Sequence, residues 1–170
     1  MSENPEASSA VGGGQRCLDI ALQPAASDLK SSDGKEISFT RAVLTVRNVC
    51  EEAVLSIFPH ATLGQESGTV QDVTAVFARS VPASLSPGGT ITCDVYDVLL
   101  PAHPGTASKI HMFGYRAALN WKFDLAVWIE YRASGSAAPA RTPVSRWIFS
   151  WSIAETDEGN IELTIKDMGV

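Results

Sequence analysis

Apolar residues recur at every second position over most of this chain, and that period limits the fold more than any other feature. Leu18, Ile20 and Leu22 alternate with Cys17, Asp19 and Ala21, and Ile37 and Phe39 with Glu36, Ser38 and Thr40. Ala42, Leu44 and Val46 alternate with Arg41, Thr45 and Arg47, and Ile91, Cys93 and Val95 with Thr90, Thr92 and Asp94. The longest run, Phe123, Leu125, Val127, Ile129 and Tyr131, interleaves with Lys122, Asp124, Trp128, Glu130 and Arg132. Trp147, Phe149, Trp151 and Ile153 form a further face, and Ile161, Leu163 and Ile165 the last. Side chains on a strand point alternately to opposite faces, so each run predicts one dry face and one wet face, as in antiparallel sheets.

Turn chemistry separates the runs. Ser32-Asp33-Gly34-Lys35, Ser86-Pro87-Gly88-Gly89, His103-Pro104-Gly105 and Asp157-Glu158-Gly159-Asn160 supply the backbone angles that tight turns need. Only Val70 to Arg79 can be argued as helix, and its β-branched residues favour a strand. Strands at this spacing predict an all-β chain, a sandwich or a barrel, and the expected architecture is an antiparallel β-sandwich of about eight or nine strands.

The first 15 residues are small, polar and Gly-rich and predict a disordered tail, leaving residues 16–170 as a single domain. A chain of 170 residues can build its core without metal or disulfide staples. Cys17, Cys50 and Cys93 are odd in number and at least 33 apart. That pattern predicts three reduced, strand-borne thiols and no redox or zinc pair. Without an apolar leader or an 18-residue apolar run, the expected location is cytoplasmic, with leaderless export as the other route. Ala133 to Pro143 reads as a flexible loop between two strong strands.

Catalytic constellations are not legible. No GxSxG elbow is present, and Cys93 falls on the core face of its strand. Asp94 and Asp97 take opposite faces, and Asp157 and Glu158 share a turn. His60, following Pro59, and His103, preceding Pro104, read as turn residues, and with His111 they lack ligand spacing. Gly12-Gly13-Gly14 has no Lys-Ser/Thr after it and is a linker. The expectation is a non-enzymatic chain with no cofactor and no metal. A net charge of −6 also argues against nucleic acid as a partner.

Trp128 departs from the pattern, because it shares a face with Lys122, Asp124, Glu130 and Arg132. A large apolar group on a wet face is either covered by another segment, such as Ala133–Pro143, or is a contact surface. Charge is also uneven. Between Lys109 and Arg146, six Lys or Arg stand against two acids, a balance of +4, so the rest of the chain totals −10. Such a split can steer an anionic partner or a like molecule packing head to tail. The leading expectation is a binding or assembly module that packs on a protein, or on itself, through a strand edge or the Trp128 face. Contact residues would be Trp128, Arg132, Lys122, Tyr131 and Arg141, and Trp128→Ala would leave the melting temperature nearly unchanged. The alternative is a lectin-like or membrane-active protein that uses Trp128, Tyr131, Arg132 and Arg141 on sugars or lipid headgroups. Alternation sets Tyr131 opposite Trp128, which counts against their acting together.

Two stretches carry a resemblance. AVLTVRN at Ala42–Asn48, followed by LSPGGTITCDVYD at Leu85–Asp97, resembles bacterial immunoglobulin-like modules, where a v-x-V-x-N strand precedes an L-x-P-G turn. It implies a fold and no chemistry, with Tyr115 or Tyr131 in the tyrosine-corner role. NWKFDLAVWIEYRASG at Asn120–Gly135 is similar in style to actinoporin and fungal-lectin β-sandwiches, whose headgroup-binding motif it does not match.

Overall fold

The computed structural model describes residues 16–30, 36–65, 70–95, 121–153 and 161–169. The expected tail and the turns at Ser32–Lys35, His103–Gly105 and Asp157–Asn160 lie outside these residues. The described chain is all-β and dominated by antiparallel pairing. In order it forms β1 (Leu18–Lys30), β2 (Glu36–Asn48), β3 (Val54–Gln65), β4 (Val70–Asp72), helix α1 (Thr74–Ala78), β5 (Ser84–Leu85), β6 (Thr90–Asp94), β7 (Phe123–Ala133), β8 (Ala140–Arg141), β9 (Ser145–Ile153) and β10 (Ile161–Asp167).

One pairing path runs β1-β2-β10-β9-β7-β3-β4, with β6 on β2, β5 on β3 and β8 on β7. β1 and β2 pair without interruption from Leu18↔Asn48 to Lys30↔Glu36. β2 meets β10 at a single parallel pair, Phe39↔Ile161. The β1-β2-β6 group and the β10-β9-β7-β3-β4 group therefore share one narrow seam.

The alternation read from sequence is carried out in burial. Phe123, Leu125, Val127, Ile129 and Tyr131 of β7 are buried and join Trp147, Phe149 and Trp151 of β9. Leu18, Ile20 and Leu22 of β1, Ala42, Leu44 and Val46 of β2, and Cys93 of β6 belong to the same core. Phe123, Phe149 and Trp151 pack as a triad with centroids 5.3–5.9 Å apart. Each such pair contributes about 0.5–1.5 kcal/mol beyond its buried area. The indole Nε1 of Trp151 donates to the Thr40 carbonyl at 2.8 Å, tying β9 to β2.

Three expectations need correction. Cys17 and Cys50 are joined in a disulfide, and only Cys93 is a free thiol. The β1-β2 pairing brings the start of one strand beside the end of the other, so 33 residues of separation vanish in space. Val70–Arg79 is split: Val70–Asp72 forms an edge strand, and the chain then turns into a helix over Thr74–Ala78 that buries Phe77. Ala133–Pro143 contains β8 and is pinned to β7, where Thr142 exchanges backbone bonds of 2.9 Å with Ile129 through its N–H and its hydroxyl.

β3 was not legible as a strand. Val54 and Ile57 are both buried although they are three positions apart, an odd separation that regular alternation sets on opposite faces. The chain reconciles this with a bulge between Leu55 and Phe58, where Ser56 adopts φ +52°. One extra residue there resets the alternation, so Ile57, Pro59, Ala61 and Leu63 all face the core.

Candidate functional site

The outward face of β4, β3, β7 and β8 carries the arrangement with the most chemical content. Because the bulge turns Ile57 and Pro59 inward, Phe58 and His60 point outward. His60 therefore lies in mid-strand, opposite Trp128 of β7, and not in the turn expected from Pro59. The imidazole stacks on the Trp128 indole with centroids 5.0 Å apart and planes 4° apart. Phe58 meets the edge of His60 at 5.0 Å and is itself 54% exposed.

Arg141 reaches Trp128 from the other side. Its β8 strand pairs with β7 at Glu130↔Arg141, and its Cζ stands 5.4 Å from the indole centroid. A guanidinium over an indole is a favourable cation–π contact, about 0.5–1 kcal/mol at an exposed site. His60 comes from the β3 side and Arg141 from the β8 side, so neighbouring strands engage both flanks of the ring.

Charges on this face are partly self-satisfied. Glu130 approaches His60 Nε2 at 3.3 Å, and Arg146 makes a two-point contact with Asp124. That contact raises the Arg146 pKa, the Asp124 hydrogen bond being the main cause. Arg132 and Arg141 form no ion pair with a described carboxylate. Across β3, the Asp72 carboxylate accepts the Thr74 N–H at 2.8 Å, and hydrogen bonding to the Thr74 side chain first, then to this N–H, holds its pKa below the usual value.

The expected contact residues separate accordingly. Trp128 and Arg141 come together, and Arg132 is exposed two residues beyond Glu130. Lys122 is exposed just before β7, away from the stack. Tyr131 lies on the inner face at 4% exposure, where its hydroxyl accepts the Cys17 N–H at 3.0 Å. Phe58, His60 and Asp72 complete the face and were missed. Alternation across a bulge was the signal that failed, since Phe58 and His60 share a parity that Val54 contradicts.

A second cluster closes the end of the core. Asn48 is fully buried, and its Nδ2 lies 2.8, 3.1 and 3.2 Å from the carbonyls of Glu52, Leu85 and Ser86. Its Oδ1 accepts the Cys50 N–H at 3.0 Å. Its backbone donates to the Gly89 carbonyl and accepts from the Gly88 N–H. Gly88 takes φ +71°, and a Cβ at Gly89 would sit 2.9 Å from the Ser86 carbonyl, so the turn needs both glycines.

Among the described residues, no group of three or more His, Cys, Asp or Glu is placed to hold a metal ion, and no helix is long and apolar enough to cross a membrane. No protein-family model matches the chain, and no curated protein matches its sequence.

Proposed function

We propose that the chain is a non-enzymatic binding or assembly module that contacts protein through the outward face around Trp128. The exposure of Phe58 beside a fixed stack carries this reading. An aromatic side chain 54% exposed on a sheet face loses water when a partner covers it. The His60–Trp128–Arg141 stack next to it is pre-ordered, so little side-chain freedom remains to be lost on contact. The anchor shifts from Trp128, which is half-buried between two neighbours, to Phe58 with Arg141 and Arg132 at the rim. Sugar stacking in the lectin manner needs an open ring face, and both flanks of Trp128 are already engaged.

The fold proposed for this module is a β-sandwich of the immunoglobulin-like type. Its support is that the two stretches carrying the resemblance meet, Asn48 ending one and bonding to Leu85, Ser86, Gly88 and Gly89 of the other. Tyr131 also closes the core, its hydroxyl accepting the N–H of Cys17 just before the first described strand, although a corner tyrosine bonds to backbone only a few residues upstream. The Cys17–Cys50 bond favours an oxidising compartment over the cytoplasm.

The test places a photo-crosslinking phenylalanine analogue at position 58, with Thr90 of β6 as the control site. Covalent adducts to polypeptide at 58 and few at 90 are expected. Equal yields at both sites would remove the face from consideration.

A further inference from the structure

The face that bears Phe58 carries a carboxylate at its β4 margin and guanidinium groups toward β8, with Glu130 between them beside His60. Asp72 lies at the β4 margin, opposite Thr62, and Val70 on the same strand is 68% exposed. Phe58 and His60 follow on β3, Trp128, Glu130 and Arg132 on β7, and Arg141 on β8. The register fixes their relative places. Arg141 is level with Glu130 and Phe58, two residues to one side of the His60↔Trp128 pair. Asp72 is level with Thr62, two residues to the other side. The midpoint between Asp72 and Arg141 therefore falls between His60 and Trp128.

A surface with opposite charges at equal distances from a central apolar stack is self-complementary under a two-fold rotation. We propose that this face pairs with the same face of a second copy, Arg141 of each copy meeting Asp72 of the other about an axis that passes between His60 and Trp128. The axis lies in the contact plane and sets each His60–Trp128 stack on its counterpart. Phe58 and Val70 lose exposure beside it. One carboxylate oxygen of Asp72 is held by Thr74, and the other is left to accept from the partner's guanidinium. Arg132, without a described carboxylate partner, adds a second cation at the same margin. This proposal rests on the reading of the face as a contact surface and names its occupant.

The patch is small. Four strands and about five residues of length give roughly 20 Å by 17 Å, well under the roughly 800 Å² per partner of a standard interface and in the range of weak, transient contacts. Pairing is therefore weak, with a dissociation constant on the order of 100 µM, and sensitive to salt.

Sedimentation equilibrium of the whole chain, up to about 1 mM protein and at about 20 mM and 0.5 M salt, tests it. A dimer that dissociates at the higher salt is expected. Arg141→Glu and Asp72→Lys, each alone, weaken the dimer at least tenfold, because each sets like charges together. Mixing the two variants restores a heterodimer, since a Glu at 141 then faces a Lys at 72 and the native Arg141 faces the native Asp72. Wild-type protein that stays monomeric at every concentration overturns the proposal. So does a dimer that survives both single substitutions. If that surviving dimer is lost in Phe58→Ser, the contact-surface reading stands and only the pairing is wrong. Circular dichroism of each variant checks that the fold is kept.

Discussion

The His60 imidazole lies parallel to the Trp128 indole, 5.0 Å away, while Arg141 stands over the same indole from the neighbouring strand. The three side chains come from β3, β7 and β8, so the stack ties three strands together on their solvent side. Trp128 is then part of the fold as well as of the face. Trp128→Ala is expected to lower stability by about 1–2 kcal/mol, against the near-neutral effect that its wet-face position suggests in sequence. A double-mutant cycle with Arg141→Ala in urea unfolding checks the origin. Coupling of about 0.5–1 kcal/mol is expected. Strictly additive losses would mean that the cation contributes nothing to the stack.

Asn48 is the residue on which the end of the core turns. Its two amide N–H groups are shared among three carbonyls and its oxygen accepts one N–H, the Leu85 carbonyl and the Cys50 N–H being buried. Asn48→Ala is expected to cost about 3 kcal/mol, because unpaired buried groups carry their full desolvation penalty. Asn48→Asp keeps the shape but, when ionised, can only accept, and is expected to lose nearly as much. A mild effect of the Asp substitution in chemical denaturation would show that volume, and not donation, is what matters here.

The Cys17–Cys50 bond closes a 33-residue separation. The chain-entropy relation gives about 4 kcal/mol for a loop of that length, a contribution lost when both cysteines become serine. Thiol titration reports the same bond directly. Native oxidised protein is expected to react slowly if at all, since Cys93 is buried and desolvation raises its pKa, keeping it protonated at neutral pH. Unfolding without reductant should expose one thiol, and unfolding with reductant all three. Three reactive thiols in the unfolded, unreduced protein would exclude the bond.

Asp72 gives a pH dependence with a fixed sign. Its pKa is depressed in the fold, chiefly by the hydrogen bond from Thr74, so its contribution is present above the unfolded carboxylate value of about 3.9. It is lost as pH falls through the lower, folded value. The stability difference between wild type and Asp72→Asn should therefore be constant near pH 6 and shrink below about pH 4. Thermal melts of both proteins at the two pH values provide the check. A difference that grows on acidification would mean the carboxylate is better bonded when protonated.

Local period and long-range pairing account for what could and could not be read from the sequence. Phe123 to Tyr131 and Trp147 to Trp151 kept a strict period of two, and their inner faces were legible residue by residue. Trp128 stood out because it broke that same pattern. Arg141 was legible as a charge near Trp128 in sequence, but its place over the ring depends on the pairing of Thr142 with Ile129. Phe58, His60 and Asp72 were hidden. Pro59 reads as a turn signal, Ser56 shifts the parity, and Asp72 joins the face only through the pairing of β4 with β3. The disulfide was hidden for a similar reason, since proximity of Cys17 and Cys50 is a property of the β1-β2 register.

Ser56 is the residue that makes the site possible, because its bulge turns Phe58 and His60 outward. At φ +52° a side chain crowds its own backbone, a conformation that glycine adopts freely. Ser56→Gly is expected to raise stability by up to about 1 kcal/mol, and Ser56→Val to lower it by at least as much. Deleting Ser56 has a different consequence. Without the extra residue, either Val54 and Leu55 or Phe58 and His60 must change faces, and a slip of one position inverts a whole strand. The deletion is expected to unfold the chain or to bury Phe58, while Ser56→Gly leaves the outward aromatic face intact. Nuclear Overhauser contacts between the His60 and Trp128 rings distinguish the cases. They should persist in Ser56→Gly and vanish in the deletion, and their survival in a folded deletion variant would show that the bulge does not set the face.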